Sequence, residues 1–184
     1  MAPDYAGGVL DLFFSKKNRV VLRLKADLYK SVTVKTALNG YLVQDRDLHT
    51  ETPADFKVIT EKAPTASEVD DMVFANKIVK HSRSNAIVLA KGKQLFASGI
   101  GQTSRVDALR QAVEKAKSFN FDLNGAVLAS DAFFPFSDCV ELAHKAGITA
   151  IVQPGGSVRD QESIDSCNQH GISMVFTGYR HFRH

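Results

Sequence analysis

The stretch "ASDAFFPFSD", residues 129–138, sets two carboxylates, Asp131 and Asp138, around Phe133, Phe134, Pro135 and Phe136. Carboxylates accept hydrogen bonds or pair with cations, and aromatic faces take flat rings. A turn that merely connects a strand to a helix uses Gly, Asn or Ser, which supply the backbone angles it needs. Phenylalanines at such a place either plug a core or wall a ligand pocket. Further loops offer a different chemistry. "GIGQTSR" (99–105) puts glycine-rich backbone and Arg105 just ahead of a helical pattern, and "QPGGS" (153–157) repeats the arrangement. Free N–H groups at a helix start suit an anion; each loop also reads as a plain strand-to-helix turn. The terminal "RHFRH" (180–184) adds Arg180, His181 and His184, and its bland reading is a frayed tail.

Other reactive types are sparse. Lys80-His81 has the look of a catalytic pair, but it ends an amphipathic pattern, where cations complement the helix dipole. Cys139 and Cys167 both fall inside helical patterns, belong to no Cys-x-x-Cys pair, and read as small buried hydrophobes.

The elements that must position these groups are clearest from Ser84 onward. "SNAIVLAKG" (84–92) and "KQLFASGIG" (93–101) are β-rich runs separated by a Lys91-Gly92 hairpin signal. Val106, Leu109, Ala112, Val113 and Ala116 then form a helical stripe, with Ser104 as its cap and Asp107 near the dipole. "GAVLASD" is an apolar strand, followed by a helix from Ser137 to Ala146 that stops at Gly147. "ITAIVQPGG", a helix from Val158 to His170 and "ISMVFTG" complete the chain. The order β-β-α-β-α-β-α-β implies an α/β three-layer sandwich: a mixed, mostly parallel sheet with helices on both faces. It is also the order of the cytidine-deaminase-like fold. In such a sheet the loops after the strands gather on the carboxyl edge, where ligands bind. The zinc enzymes of that fold need His-x-Glu followed by Pro-Cys-x-x-Cys; the chain is read as carrying neither, so zinc deaminase chemistry is not expected.

The first 83 residues are less regular. A helix to about Ser15 and a strand over Val20–Leu24 are followed by an Asn39-Gly40 hairpin signal. "DLHTETPADFKVITEKAPT" reads as a covering loop, and Val69, Met72, Val73 and Val79 mark a helix. Residues 1–25 find no obvious partner within the chain.

The 184 residues suit one domain with an appendage. A net charge of +3 is too small for a dedicated nucleic-acid binder. No apolar run spans a bilayer and no secretory signal opens the chain, so a cytoplasmic protein with no membrane partner is expected.

Taken in this order, "SNAIVLAKG", "GIGQTSRVDA", "ASDAFFPFSD", "QPGGSVRDQ" and "RHFRH" resemble the C-terminal part of AICAR transformylase. That is the formyl-transfer half of a bifunctional purine biosynthesis enzyme that also carries IMP cyclohydrolase. "ALNGYLVQDRD" and "MVFANKIVKHSRSN" extend the resemblance across the chain, which is strongest from Ser84. It implies transfer of a formyl group from the co-substrate 10-formyltetrahydrofolate to AICAR, giving FAICAR, which the cyclohydrolase closes to IMP. Asn85, Arg105, Phe133 and Arg180 would then contact AICAR, while Val106, Asp138, Ser157 and Val158 would line a folate site. His184 would lie near the reacting centre. Some relatives hold potassium around Asp131, which could instead cap locally. The Lys-His pair that the resemblance calls catalytic belongs to a stretch absent here, and Lys80-His81 does not inherit its role. The resemblance implies a transformylase fragment, with residues 1–25 as the tail of a missing first half and 26–184 as the second deaminase-like half. It is expected to be inactive alone, to lack the cyclohydrolase, and to partner the missing half or a second copy through an exposed apolar face. A non-catalytic nucleotide- or folate-binding module of the same fold is the alternative.

Overall fold

Side chains alternate along a strand, and in this chain the alternation sorts the apolar residues into two cores. A computed structural model describes residues 1–25 and 31–183. The chain divides into two units, Met1–Leu48 and His49–His184.

In the first unit, α1 (Val9–Phe14) is short and buries none of its residues. β1 (Val32–Ala37) and β2 (Gly40–Asp45) pair antiparallel, Ala37 opposite Gly40, around Leu38-Asn39. The turn is therefore one residue earlier than Asn39-Gly40 suggested, and Leu38 takes the positive φ, 49°. No strand forms over Val20–Leu24. An isolated bridge joins Ala2 to Arg23, and the Tyr5 hydroxyl donates to the Leu22 carbonyl at 2.8 Å.

The second unit is built on six strands: β3 (Lys57–Val58), β4 (Ile87–Lys91), β5 (Gln94–Gly99), β6 (Val127–Ser130), β7 (Ala150–Gln153) and β8 (Ser173–Phe176). Their order across the sheet is β3-β8-β7-β6-β4-β5. β6, β7 and β8 are parallel neighbours, whereas β4 is antiparallel to both β5 and β6. β5 through β8, apart from the reversed β4, thus point the same way, and their carboxyl ends share one edge with the start of β4. This is the arrangement expected for the cytidine-deaminase-like order. β3, antiparallel to β8, was not anticipated; it lies in the stretch read as a covering loop.

Ile87, Leu89, Leu128, Ile151 and Met174 face one core together with α3 (Arg105–Ser118), α4 (Asp138–Ala146) and α5 (Asp160–His170). Val88, Ala90, Val127, Ala129, Val152 and Val175 face the other, which α2 (Ala66–Lys80) covers with Met72, Ala75 and Val79. Helices therefore lie on both faces. Asp71 of α2 is buried and accepts the Gly92 and Lys93 N–H groups at 2.8 and 2.6 Å. That contact pins the β4–β5 turn, whose central residues both take positive φ as a tight right-twisting hairpin requires. Gly99 lets α3 approach the sheet: a Cβ there would sit 1.8 Å from the Ala108 carbonyl oxygen. Cys139 and Cys167 are free and buried, and burial pushes both thiols up, so neither is a poised nucleophile.

Candidate functional site on the carboxyl edge of the sheet

The centre of the edge is a buried ion pair. Asp131 follows β6 and is fully buried, and Arg105 opens α3 with little exposure. One Asp131 oxygen accepts both the Arg105 Nη1 and, at 3.0 Å, the Ala86 N–H. Arg105 Nη1 also donates to the Ala86 carbonyl at 3.2 Å, and its Nη2 donates to Asn85 Oδ1 at 3.0 Å. Asn85 completes the chain by donating Nδ2 to the Gln102 carbonyl at 3.0 Å. Such a pair is costly to break from one side, since the survivor is a buried charge without a partner. Arg105 is thus spent inside the fold: it balances Asp131 and orients Asn85, and its guanidinium is not an open fork for phosphate. Asp131 caps no helix: the backbone N–H it accepts is that of Ala86, just ahead of β4, and its cationic partner is Arg105. Its second oxygen is buried without a hydrogen bond. It is of the donor class a hard cation such as potassium takes, but the carboxylate charge is already matched by the guanidinium. Among the described residues, no group of three or more His, Cys, Asp or Glu could hold a metal ion.

The glycine-rich loops satisfy themselves. In "GIGQTSR" the Gly101 N–H goes to the Arg83 carbonyl at 2.8 Å, and Ser104 caps α3 by accepting the Asp107 N–H at 3.1 Å. In "QPGGS" the Asp160 carboxylate accepts the Gly156 and Ser157 N–H groups at 2.7 and 3.1 Å. An internal carboxylate therefore occupies the place proposed for an external anion. Gly155, at φ 72°, lies so close to the Phe176 ring that a Cβ would meet it at 2.4 Å.

The exposed charge of this edge comes instead from the C-terminal segment. The Arg180 guanidinium lies 4.6 Å over the centre of the half-buried Phe133 ring and reaches the Gly156 carbonyl at 3.5 Å. Phe134 is the core plug: it is fully buried, and its N–H is fixed by Gln153 Oε1 at 2.9 Å. Phe136 is 47% exposed and carries Arg159 4.7 Å over its ring. Asp138 and Val158 are exposed and Ser157 half-buried, near the starts of α4 and α5. Val106, expected beside them, packs against the core. The edge thus brings together Asn85, Arg105, Asp131, Phe133 and Arg180. His184 lies outside the described residues.

Lys80 is buried and donates its Nζ to the His49 carbonyl and, at 3.4 Å, to Thr50 Oγ1. His49 and Glu51 were missed as site residues, although they stand at His-x-Glu spacing. Glu51 Oε1 lies 2.5 Å from Nε2 of His181, both side chains being buried, so the terminal segment is not a frayed tail.

A model of the AICARFT/IMPCHase bienzyme family matches residues 1–115. The chain belongs to that family. Bifunctional purine biosynthesis proteins PurH are similar over its whole length: 62% identical in Bacteroides thetaiotaomicron, 51% in Aquifex aeolicus and 52% in Caldicellulosiruptor saccharolyticus. This member of the AICARFT/IMPCHase family spans 36% of the length of each of those relatives. Among solved structures, the chain is similar to a Thermotoga maritima diaminohydroxyphosphoribosylaminopyrimidine deaminase/reductase (TM-score 0.42, 22% identity), over 58% of this chain and 34% of that one. It is similar also to a cyanophage S-TIM5 dCMP deaminase (TM-score 0.43, 16% identity), over 61% of this chain and 98% of that one.

These matches correct the assignment drawn from the motifs. The chain was expected to be the C-terminal portion of AICAR transformylase, acting in formyl transfer, with IMP cyclohydrolase absent. The family model instead matches from Met1 to residue 115, not chiefly from Ser84, and it is the model of the bienzyme, cyclohydrolase included. The chain is assigned to the AICARFT/IMPCHase family as a whole. Neither the formyltransferase reading nor the statement that the cyclohydrolase is missing is retained.

Proposed function

We propose that the chain is a nucleotide-binding part of a bifunctional, cytoplasmic purine biosynthesis enzyme, and that its carboxyl edge takes AICAR. The observation that carries this reading is the Arg180–Phe133 pair, an exposed guanidinium over an accessible ring, on the same sheet edge as an Asn85 amide fixed by Arg105 and Gln102. AICAR joins a flat imidazole carboxamide to a phosphate. An aromatic face can pack on the first, a guanidinium pairs with the second, and a fixed amide can bond the carboxamide. The bienzyme family supports the same choice, since the transformylase in its name acts on this nucleotide and the cyclohydrolase on its formylated product. The remainder of the enzyme, represented in the longer relatives, is the expected partner.

Calorimetric titration of the chain with AICAR tests the reading. Arg180→Ala is expected to weaken binding by about 10–100-fold, the value of a charge-assisted contact, and Phe133→Ala by less. Absence of binding by the parent chain, or equal affinity in Arg180→Ala, would overturn it.

A further inference from the structure

The segment after β8 carries Arg180, and its attachment to the fold is unusually specific. Tyr179 and His181 flank Arg180 at two-residue spacing, and both meet residues of 49–51 that are themselves two apart. The His49 ring stacks on Tyr179 with centroids 3.6 Å apart, and the Glu51 carboxylate meets the His181 imidazole at 2.5 Å. Arg180, between them, points the other way, to Phe133 and Gly156. Alternation of side chains along an unturned segment accounts for this: fixing the neighbours on one side aims the residue between them at the other. Lys80 anchors the 49–51 side through the His49 carbonyl and Thr50. The His181 N–H donates to the Asp131 carbonyl at 3.0 Å, tying the segment to the buried ion pair. Further on, the Ser84 and Arg183 backbones are joined by the Ser84 N–H to the Arg183 carbonyl at 2.9 Å, and the Arg183 N–H meets Ser84 Oγ at 2.9 Å.

We infer that Glu51 is a positioning residue for the nucleotide's anionic group: by holding His181 it fixes the direction of Arg180. This rests on the reading of the edge as an AICAR site. Glu51 touches no ligand itself, and its side chain is as buried as that of His181, 2% for each. A buried carboxylate–imidazole contact costs desolvation and adds little net stability. What it supplies is a fixed geometry for a segment that otherwise lacks regular secondary structure.

The test compares Glu51→Ala and Glu51→Gln in the full chain, by calorimetry with AICAR and with its phosphate-free riboside, and by hydrogen exchange without ligand. Glu51→Ala is expected to weaken AICAR about ten-fold while leaving the riboside nearly unchanged, because only a contact to the charged group depends on where Arg180 points. Glu51→Gln, which keeps a hydrogen-bonding group, should recover most of that loss. Amides of 177–183 should exchange faster in Glu51→Ala at temperatures well below unfolding. Equal loss for nucleotide and riboside, or unchanged AICAR affinity in Glu51→Ala, would overturn the inference. A parent chain that ignores AICAR would overturn the reading beneath it, and the exchange of 177–183 then decides separately whether Glu51 fixes the segment.

Discussion

The two units of this chain contain similar local signals and end very differently. Met1–Leu48 has a helix, a hairpin dipeptide and alternating strand residues, yet every residue of β2 is exposed and none of α1 is buried. Tyr41, Leu42 and Val43 are all more than half exposed. In His49–His184 the same kinds of pattern produce two cores, one on each face of a six-stranded sheet. The difference lies in what each element can be laid against. A two-stranded hairpin has no second layer of its own, and an isolated one is marginal in water. β4, β6 and β7 are covered on both faces, so their residues at odd and even positions are buried alike. Local propensity places elements; only a second layer turns them into a core.

Substitutions can sharpen that contrast. The largest effect is expected at Asp131. Asp131→Ala strands the buried Arg105 charge and should cost about 3–5 kcal/mol in urea unfolding of the second unit. Adding Arg105→Met should restore much of that loss, because an apolar side chain of similar volume needs no partner. A double variant no more stable than Asp131→Ala would mean that the ion pair does not act as one unit. At the other extreme, Leu42→Ser in β2 should change stability by no more than ~0.5 kcal/mol, since the side chain is already in water. A loss comparable to a core truncation would show that the hairpin is covered in solution, and would abolish the contrast.

Much of the second unit was legible in the sequence for the same reason that it folds. Four-residue apolar strands such as "VLAS" and "AIVQ" can satisfy two faces only inside a sheet, and Ser104 and Gly147 punctuate the helices as their chemistry demands. The β4–β5 turn was found, one residue off. What stayed hidden is long-range. β3 is two residues in a polar stretch and becomes a strand only because the β8 edge is there to receive it. Glu51 and His181 are 130 residues apart, and nothing local in either neighbourhood announces the other. Arg105 was read as a cation for AICAR, but its distance from Asp131 in sequence concealed that the two neutralise each other. In the phenylalanine loop only Phe134 plugs the core, while Phe133 and Phe136 each carry an arginine over the ring, a division that residue type alone does not reveal. The motifs identified the enzyme family but misassigned the portion, because resemblance in short loops carries no information about the rest of a bienzyme.

The central claim is that the carboxyl edge of the sheet, with Arg180 aimed by its neighbours, is the nucleotide site. Hydrogen exchange with and without saturating AICAR tests it most directly. The account predicts slowed exchange around Asn85, at 131–134 and at 177–183, with the β4–β5 turn at the opposite edge unchanged. Binding that protects that far turn instead, or leaves 177–183 untouched, would contradict it.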